Sequence, residues 1–247
     1  TRNHATRWIE IGGLSMQPSE VAKFAVALYF ADSISKKREK MRSFRYGILP
    51  YGIILVLIAG LMMFEPHLSG TVLILGTGAV MMVVGGIPGW LVGAGIGGVF
   101  AAAAGYIKAV ELGIIHYGAS RIQMWEDPFI DRQGDGYQMV QSLLSIGSGG
   151  LLGVGLGKSR QKFLYLPEEH NDFIFCEELG LIGATIIMLL FAALILRGYW
   201  IALHARDRFG SLLVVGMTTF LGLQVFLNIG VVTGLLPATG ISLPFFS

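Results

Sequence analysis

The sequence predicts an all-α polytopic membrane protein, with six transmembrane helices and a large structured extracytoplasmic loop. Three observations predict it. Of 247 residues, 53% are hydrophobic and 14% are charged, against about 25% charged in an ordinary soluble domain. Apolar runs of roughly 20 residues, enough to cross a bilayer, recur along the chain. Lipid offers the backbone no hydrogen-bond partners, so such runs must be helices. A water-soluble globule is excluded, and a net charge of +2 is too weak and scattered for a nucleic-acid binder. The single cysteine, Cys176, excludes an intramolecular disulfide and a cysteine-based zinc site.

The opening stretch TRNHATRWIEIGG has neither an initiator Met nor the apolar core of a signal peptide. The other end, SLPFFS, stops where a further apolar run begins. The chain therefore reads as part of a longer membrane protein. The first span is roughly 17–34, opened by Gln17-Pro18-Ser19-Glu20 with proline in the first turn. Spans of roughly 47–64, 68–87 and 88–106 follow, then roughly 173–200 and 211–234.

Positive charge orients them. The loop 36–46 carries Lys36, Lys37, Arg38, Lys40, Arg42 and Arg45, which places it in the cytoplasm. Alternation then puts the turn at Gly86–Gly89 and the loop 197–210, with Arg197, Arg206 and Arg208, on the same side. The stretch around Arg7, the turn at 65–70, the loop 107–172 and the end 235–247 fall outside. Trp8, Trp90, Trp125 and Trp200 lie mostly near span ends, as an interfacial belt requires.

The outer loop is too long for a simple connection. Within it Gln138, Gln141, Ser142 and Ser145 repeat at helical spacing, with Met139, Val140, Leu143 and Leu144 opposite. This predicts an amphipathic helix over 137–146 at the membrane surface. A glycine-rich run follows: Gly147, Gly149, Gly150, Gly153, Gly155 and Gly157.

Two glycine motifs mimic nucleotide sites. Gly93, Gly95 and Gly98 match G-x-G-x-x-G but lie inside an apolar span with no preceding strand, so helix packing is the expected use. The run ending Gly157-Lys158-Ser159 lacks the first glycine of a P-loop, where Leu152 stands, and a nucleotide role is rejected. Two readings remain for it: a flexible turn with snorkelling cations, or a backbone that holds a phosphate or pyrophosphate with Lys158 and Lys162.

Among charged residues, Glu20 and Lys23 share a helix face, either as a self-neutralising pair or as the lining of a polar site. Asp172 immediately precedes the span beginning at Phe173. Asn171 or Asp172 could cap that helix, or Asp172 could serve as a general base on a sugar hydroxyl. Glu168, Glu169 and His170 form either a solvated acidic turn or part of the site, with no recognised metal-ligand spacing. Glu177 and Glu178 lie where carboxylates complement the positive end of a helix.

The order of motifs goes further. Arg7-Trp8-Ile9, Gly12-Gly13 and Gln17-Pro18-Ser19-Glu20-Val21-Ala22-Lys23 resemble the SEDS family, the RodA/FtsW/SpoVE type. So do Glu65-Pro66-His67-Leu68-Ser69-Gly70-Thr71, Gly136-Tyr137-Gln138 with Gln141-Ser142, and the glycine run 147–157. Leu166-Pro167-Glu168-Glu169-His170-Asn171-Asp172-Phe173-Ile174-Phe175, Glu177-Glu178-Leu179-Gly180 and Pro237-Ala238-Thr239-Gly240 complete the match over nearly the whole chain. The stretch 65–71 leans towards the division-type members.

The resemblance implies a peptidoglycan glycosyltransferase in the bacterial cytoplasmic membrane, of which this chain covers roughly the fourth to ninth of ten helices. It implies Lipid II as substrate, undecaprenyl pyrophosphate as leaving group and Asp172 as the essential carboxylate. By the same likeness Arg7, Glu20 and Lys23, with Gln138, Lys158, Lys162, Glu168 and His170, are expected to hold substrate. A divalent cation (Mg or Mn) as cofactor and a class B penicillin-binding protein as partner, in a division or elongation complex, are also implied. The chain departs from the family in lacking the terminal helices and in having Asn171 where Thr is common. It also has Cys176 alone between Phe175 and Glu177, where the family has about three more residues; three residues turn a helix by roughly 300°. The rival readings are a Lipid II flippase and a non-catalytic scaffold.

Overall fold

The computed structural model describes residues 9–11, 14–64, 68–113, 123, 125, 127–131, 136–155, 158, 171–237 and 242–245. A short antiparallel hairpin comes first, β1 (Ile9–Ile11) paired with β2 (Leu14–Met16) in the register Ile9 to Met16. Seven α-helices follow among the described residues: α1 (Pro18–Lys37), α2 (Leu49–Phe64), α3 (Leu68–Gly85), α4 (Gly89–Glu111), α5 (Tyr137–Gly149), α6 (Asn171–Leu203) and α7 (Arg208–Val232). The hairpin is a short local addition to a chain that is otherwise helical among the described residues, in keeping with the all-α expectation. Isoleucines at 9 and 11 alternate with a polar residue at period two, a pattern too short to stand out beside the apolar spans. The chain forms two compact units, one of Thr1–Gly95 with Leu194–Leu223, the other of Ile96–Ala193 with Gln224–Ser247.

In the first unit, α1 opens with Pro18 and Glu20 and closes with Lys36 and Lys37, the charge order that the helix dipole favours. Val26, Ala27, Phe30, Ala31 and Ile34 recur every three or four residues and form a buried stripe. They pack with Tyr51, Leu55 and Met62 of α2, Ile74, Met81 and Met82 of α3, and Leu212 of α7. Gly78 permits close approach, because a Cβ there would press on the side chains of Leu55 and Phe30. Tyr51 organises this core. Its ring meets Phe30 edge-on with centroids 4.9 Å apart, Lys37 Nζ lies 4.9 Å over the ring, and its hydroxyl donates to Ser33 Oγ at 2.9 Å.

The basic residues 38–45 are wound tightly, in a 3₁₀ turn (Arg38–Arg42) and a π turn (Phe44–Ile48) that leads into α2. Met41 from this turn is buried in the core. A Cβ on Gly85, at the end of α3, would meet Ile34 and Met41, and Arg208 donates to the Gly85 carbonyl at 3.2 Å. Asp207 caps α7, accepting from the Gly210 amide at 2.6 Å. Three loops that charge and alternation together were expected to group therefore meet at one end of this unit.

In the second unit Phe191, Val225 and Leu243 form a small core. Gln224 Nε2 donates to the Ser242 carbonyl at 3.0 Å and Trp125 Nε1 to the Gly234 carbonyl at 2.9 Å. Helix α5 forms where predicted and buries Met139 and Val140, yet Ser145 of the expected polar face is 0% exposed while Leu144 is 52% exposed. The simple two-faced reading is thus corrected: in a membrane protein a small polar side chain can be the inward one, provided it is bonded, and Ser145 does have a partner.

Among the described residues, Phe44–Met62, Glu177–Leu203 and Arg208–Val232 are long and apolar enough to cross a membrane, and Ser69–Gly85 is apolar but shorter. Six such stretches were expected. Helix α1 carries Glu20, Lys23, Asp32, Lys36 and Lys37, which dilute its apolar character, and α4 contains positions whose side chains lie outside the description. The expected packing use of Gly93, Gly95 and Gly98 finds no described atom within reach of an added Cβ. Residues such as Val56, Leu57, Leu61, Leu189, Leu190 and Phe226 are exposed, whereas Lys23, Thr77, Glu177, Thr219 and Asn228 are buried. A chain with apolar groups outside and polar groups inside is a membrane protein.

Tyr51→Phe should keep the ring packing and lose the bond to Ser33, lowering stability by about 1 kcal/mol. Phe30→Ala should cost about 3–5 kcal/mol through the cavity it leaves. Thermal unfolding in detergent measures both, and equal losses for the two would contradict this description of the core.

Candidate functional site

The candidate residues fall in both units. In the first, Glu20 and Lys23 stand one turn apart near the start of α1, and Lys23 Nζ contacts Glu20 Oε1 at 2.5 Å. The two side chains are unequal: Lys23 is 6% exposed and Glu20 49%. Lys23 Nζ also lies 5.1 Å from the ring centroid of Phe220, on α7. A buried ammonium needs compensation; here a carboxylate supplies it on one side and an aromatic face on another. The self-neutralising pair anticipated from spacing therefore forms. The half-exposed Glu20 keeps carboxylate surface open, so the pair is also compatible with a polar site. Arg7 lies outside the described residues.

In the second unit the informative element is the glycine run. Helix α5 ends at Gly149, and Gly150 follows at φ 54, ψ −147, a conformation reserved for glycine. Residues 150–155 then run alongside α6. The Val154 and Gly155 amides donate to the carbonyls of Glu177 and Glu178 at 3.0 and 3.1 Å. In return, the Leu181 and Ile182 amides donate to the carbonyls of Gly150 and Leu151 at 2.9 and 3.2 Å. This exchange is possible because α6 is broken at Gly180, whose φ of 65 and ψ of −170 are not helical. The break frees carbonyls before it and amides after it, and the glycine segment takes up two of each.

This revises the reading of the glycines as a flexible turn. It also bears on phosphate binding. The amides of Gly153, Val154, Gly155 and Lys158 all donate to carbonyls, those of Gly149, Glu177, Glu178 and Gly155. Any anion held at these positions would rely on the exposed Lys158 side chain instead of a backbone cradle.

Helix α6 begins at Asn171, so Asp172 sits within the first turn and not at the preceding cap position. There a carboxylate complements the positive helix end. The side chains of Asp172 and of Gln138 on α5 lie outside the description, and Lys162, Glu168 and His170 lie outside the described residues altogether. Glu177 is 2% exposed and has a partner, while Glu178 is half-buried. Sequence reasoning assigned this pair only to the helix dipole. Their further use, as carbonyl acceptors at a helix break, has its sequence signal in Gly180 two residues on. Among the described residues no group of His, Cys, Asp and Glu could hold a metal ion.

The whole chain, residues 1–247, matches the FtsW/RodA/SpoVE family model, described as cell cycle protein. It is 43% identical to stage V sporulation protein E of Bacillus subtilis, over 100% of this chain and 67% of that protein. It is 41% identical to a probable peptidoglycan glycosyltransferase FtsW of Geobacter sulfurreducens, over 98% of this chain and 65% of the relative. The chain thus spans about two thirds of the length of these relatives. Among solved structures it is similar to a chain from a peptidoglycan synthase complex that coordinates polymerization and crosslinking, with a TM-score of 0.77 at 27% identity over 100% of this chain and 68% of that one. It is also similar to the rod shape determining protein RodA of Thermus thermophilus, with a TM-score of 0.66 at 27% identity over 100% and 64%. The chain belongs to the FtsW/RodA/SpoVE family.

Proposed function

We propose that the intact protein is a peptidoglycan glycosyltransferase that polymerises Lipid II at the outer face of the bacterial cytoplasmic membrane, in cell division or cell shape. The observation that carries this reading is the family match over residues 1–247, with relatives named for that activity. The structure adds support of its own. Helix α6 starts at Asn171, so Asp172 stands in its first turn, immediately before the apolar residues Phe173-Ile174-Phe175. That is a position where a polar sugar and a lipid tail can meet.

In the proposed reaction the 4-hydroxyl of an acceptor GlcNAc attacks the anomeric carbon of a donor MurNAc. The C–O bond to undecaprenyl pyrophosphate breaks, and Asp172 takes the hydroxyl proton. The pyrophosphate leaves with the bonding electron pair. It is already a good leaving group, so charge stabilisation matters more than proton donation to it. Lys158, Lys162, Arg7 and Lys23 are proposed to supply that charge, with Glu20, Gln138, Glu168 and His170 completing the substrate contacts. A divalent cation would add to it, but the described residues offer no ligand set, and no step here depends on one. The loop 107–172 is proposed to be extracytoplasmic, with 36–46 and 197–210 in the cytoplasm. A class B penicillin-binding protein is the proposed partner.

The flippase reading gains one feature, the broken helix at Gly180. Transporters use paired broken helices with free backbone groups at mid-membrane, whereas the groups freed here are closed off by residues 150–155.

Asp172→Asn in the full-length protein should preserve expression and folding and reduce Lipid II polymerisation by about 10²–10⁴-fold. Purified protein in detergent gives the measurement, since flipping has no meaning without a bilayer. Undiminished turnover would remove Asp172 from the mechanism.

Lys23→Met should leave stability within about 1 kcal/mol, because the carboxylate left behind on Glu20 is half-exposed and not a stranded buried charge, while slowing polymerisation. Glu20→Gln should destabilise more than Lys23→Met, by stranding the buried ammonium. Full activity in Lys23→Met would reduce the pair to a structural role.

A further inference from the structure

We propose that residues 150–155 and the break at Gly180 form a backbone clamp, with Gly153 and Gly180 as positioning residues for the transferase reaction. This rests on the function proposed above.

Three features carry it. The four hydrogen bonds between the segment and α6 are reciprocal, two donated by each side, and they join main chain to main chain. They therefore fix the path of both segments whatever their side chains do, and Leu151 and Leu152 indeed remain exposed. The two glycines also interlock. A Cβ on Gly153 would fall on the Glu178 carbonyl and the Gly180 amide; a Cβ on Gly180 would fall on the Gly153 amide and the Leu151 carbonyl. Both have positive φ, 78° and 65°, so each is required twice, by conformation and by space.

The third feature is what the clamp joins. Asp172 lies six residues before Glu178 on the first segment of α6, about 9 Å along the axis. Lys158 stands three residues after the end of the clamped segment, its amide bonded to the Gly155 carbonyl at 3.1 Å. A glycine-rich segment left free would let the carboxylate-bearing helix and the cation-bearing turn move independently. Clamped, they form one piece, which is what a reaction sensitive to displacements of about 1 Å requires.

The test uses full-length protein in detergent, with kcat and KM for Lipid II, thermal unfolding, and hydrogen exchange followed through 150–155 and 177–182. Slow exchange at the Val154, Gly155, Leu181 and Ile182 amides is expected, and exchange at open-loop rates would overturn the clamp. Gly153→Ala and Gly180→Ala should lower kcat by about 100-fold with KM changed far less. Leu181→Pro deletes a single donor at the first position of the second helical segment, where proline fits. It should lower the unfolding temperature far less than either glycine variant, by no more than one lost hydrogen bond, and still lower kcat. Gly60→Ala, whose Cβ meets nothing within 4 Å, is the unaffected control. Full kcat in both Gly180→Ala and Leu181→Pro would overturn the proposal even if Asp172→Asn is inactive. Impaired glycine variants beside an active Asp172→Asn would instead sustain the clamp and remove the base.

Discussion

Every backbone amide and carbonyl in the apolar layer must find a partner within the protein, and the structure depends on this constraint more than on any other. It makes the long apolar runs helices, and it decides what happens where a helix fails. At Gly180 the helix α6 stops and restarts. In a soluble protein water would satisfy the freed groups. Here residues 150–155 lie against the break and bond two of the carbonyls before it and two of the amides after it. At Gly153 and Gly180 only glycine allows main chain to approach main chain so closely, which gives a run that looked like loop composition a definite structural use.

The same constraint acts on side chains. Polar groups turn inward and find one another, as Tyr51 does with Ser33 and Lys23 with Glu20. Lys23 shows the balance of effects. Leaving an ammonium alone in an apolar interior would cost far more than bringing up a carboxylate and a phenyl face. The pair is therefore accounted for by burial alone, and its proximity cannot by itself argue for function. What burial leaves unexplained is the exposed half of Glu20, because a carboxylate needed only to neutralise Lys23 could have been buried with it.

Much of the fold was legible in the sequence. Helix ends fell within a few residues of the apolar runs, since proline, basic clusters and glycine turns mark them. Charge in the first loop and the alternation of spans grouped the loops around Arg42, Gly86 and Arg208, and contacts among Met41, Gly85 and Arg208 bring them together. Which apolar residue faces the core was not legible. Leu55 is buried and its neighbour Val56 exposed, yet lipid and core both accept an aliphatic chain, so hydrophobic periodicity carries little contrast. Ser145 defeated the amphipathic pattern for the same reason. The glycine segment resisted reading because composition shows that close approach is allowed without saying what approaches. Of the candidate site, the pairing of Glu20 with Lys23 followed from spacing, whereas the tie between Gly153 and Gly180 joins positions too far apart in sequence for any local pattern.

A phosphate loop and this glycine segment look alike in sequence and solve opposite problems. A phosphate loop leaves its amides unpaired so that an anion can take them. Here the amides of Gly153, Val154, Gly155 and Lys158 already donate to carbonyls. These amides serve rigidity instead, and in the proposed reaction it is ammonium and guanidinium groups that are assigned the attraction for the leaving pyrophosphate. Such groups at a membrane edge are strongly hydrated and mobile unless what carries them is fixed. A rigid backbone near Lys158 is thus the physical complement that the proposed site, with its reliance on side-chain charge, would need. It explains why the glycines lie beside the lysine without forming the cradle that their spacing imitates.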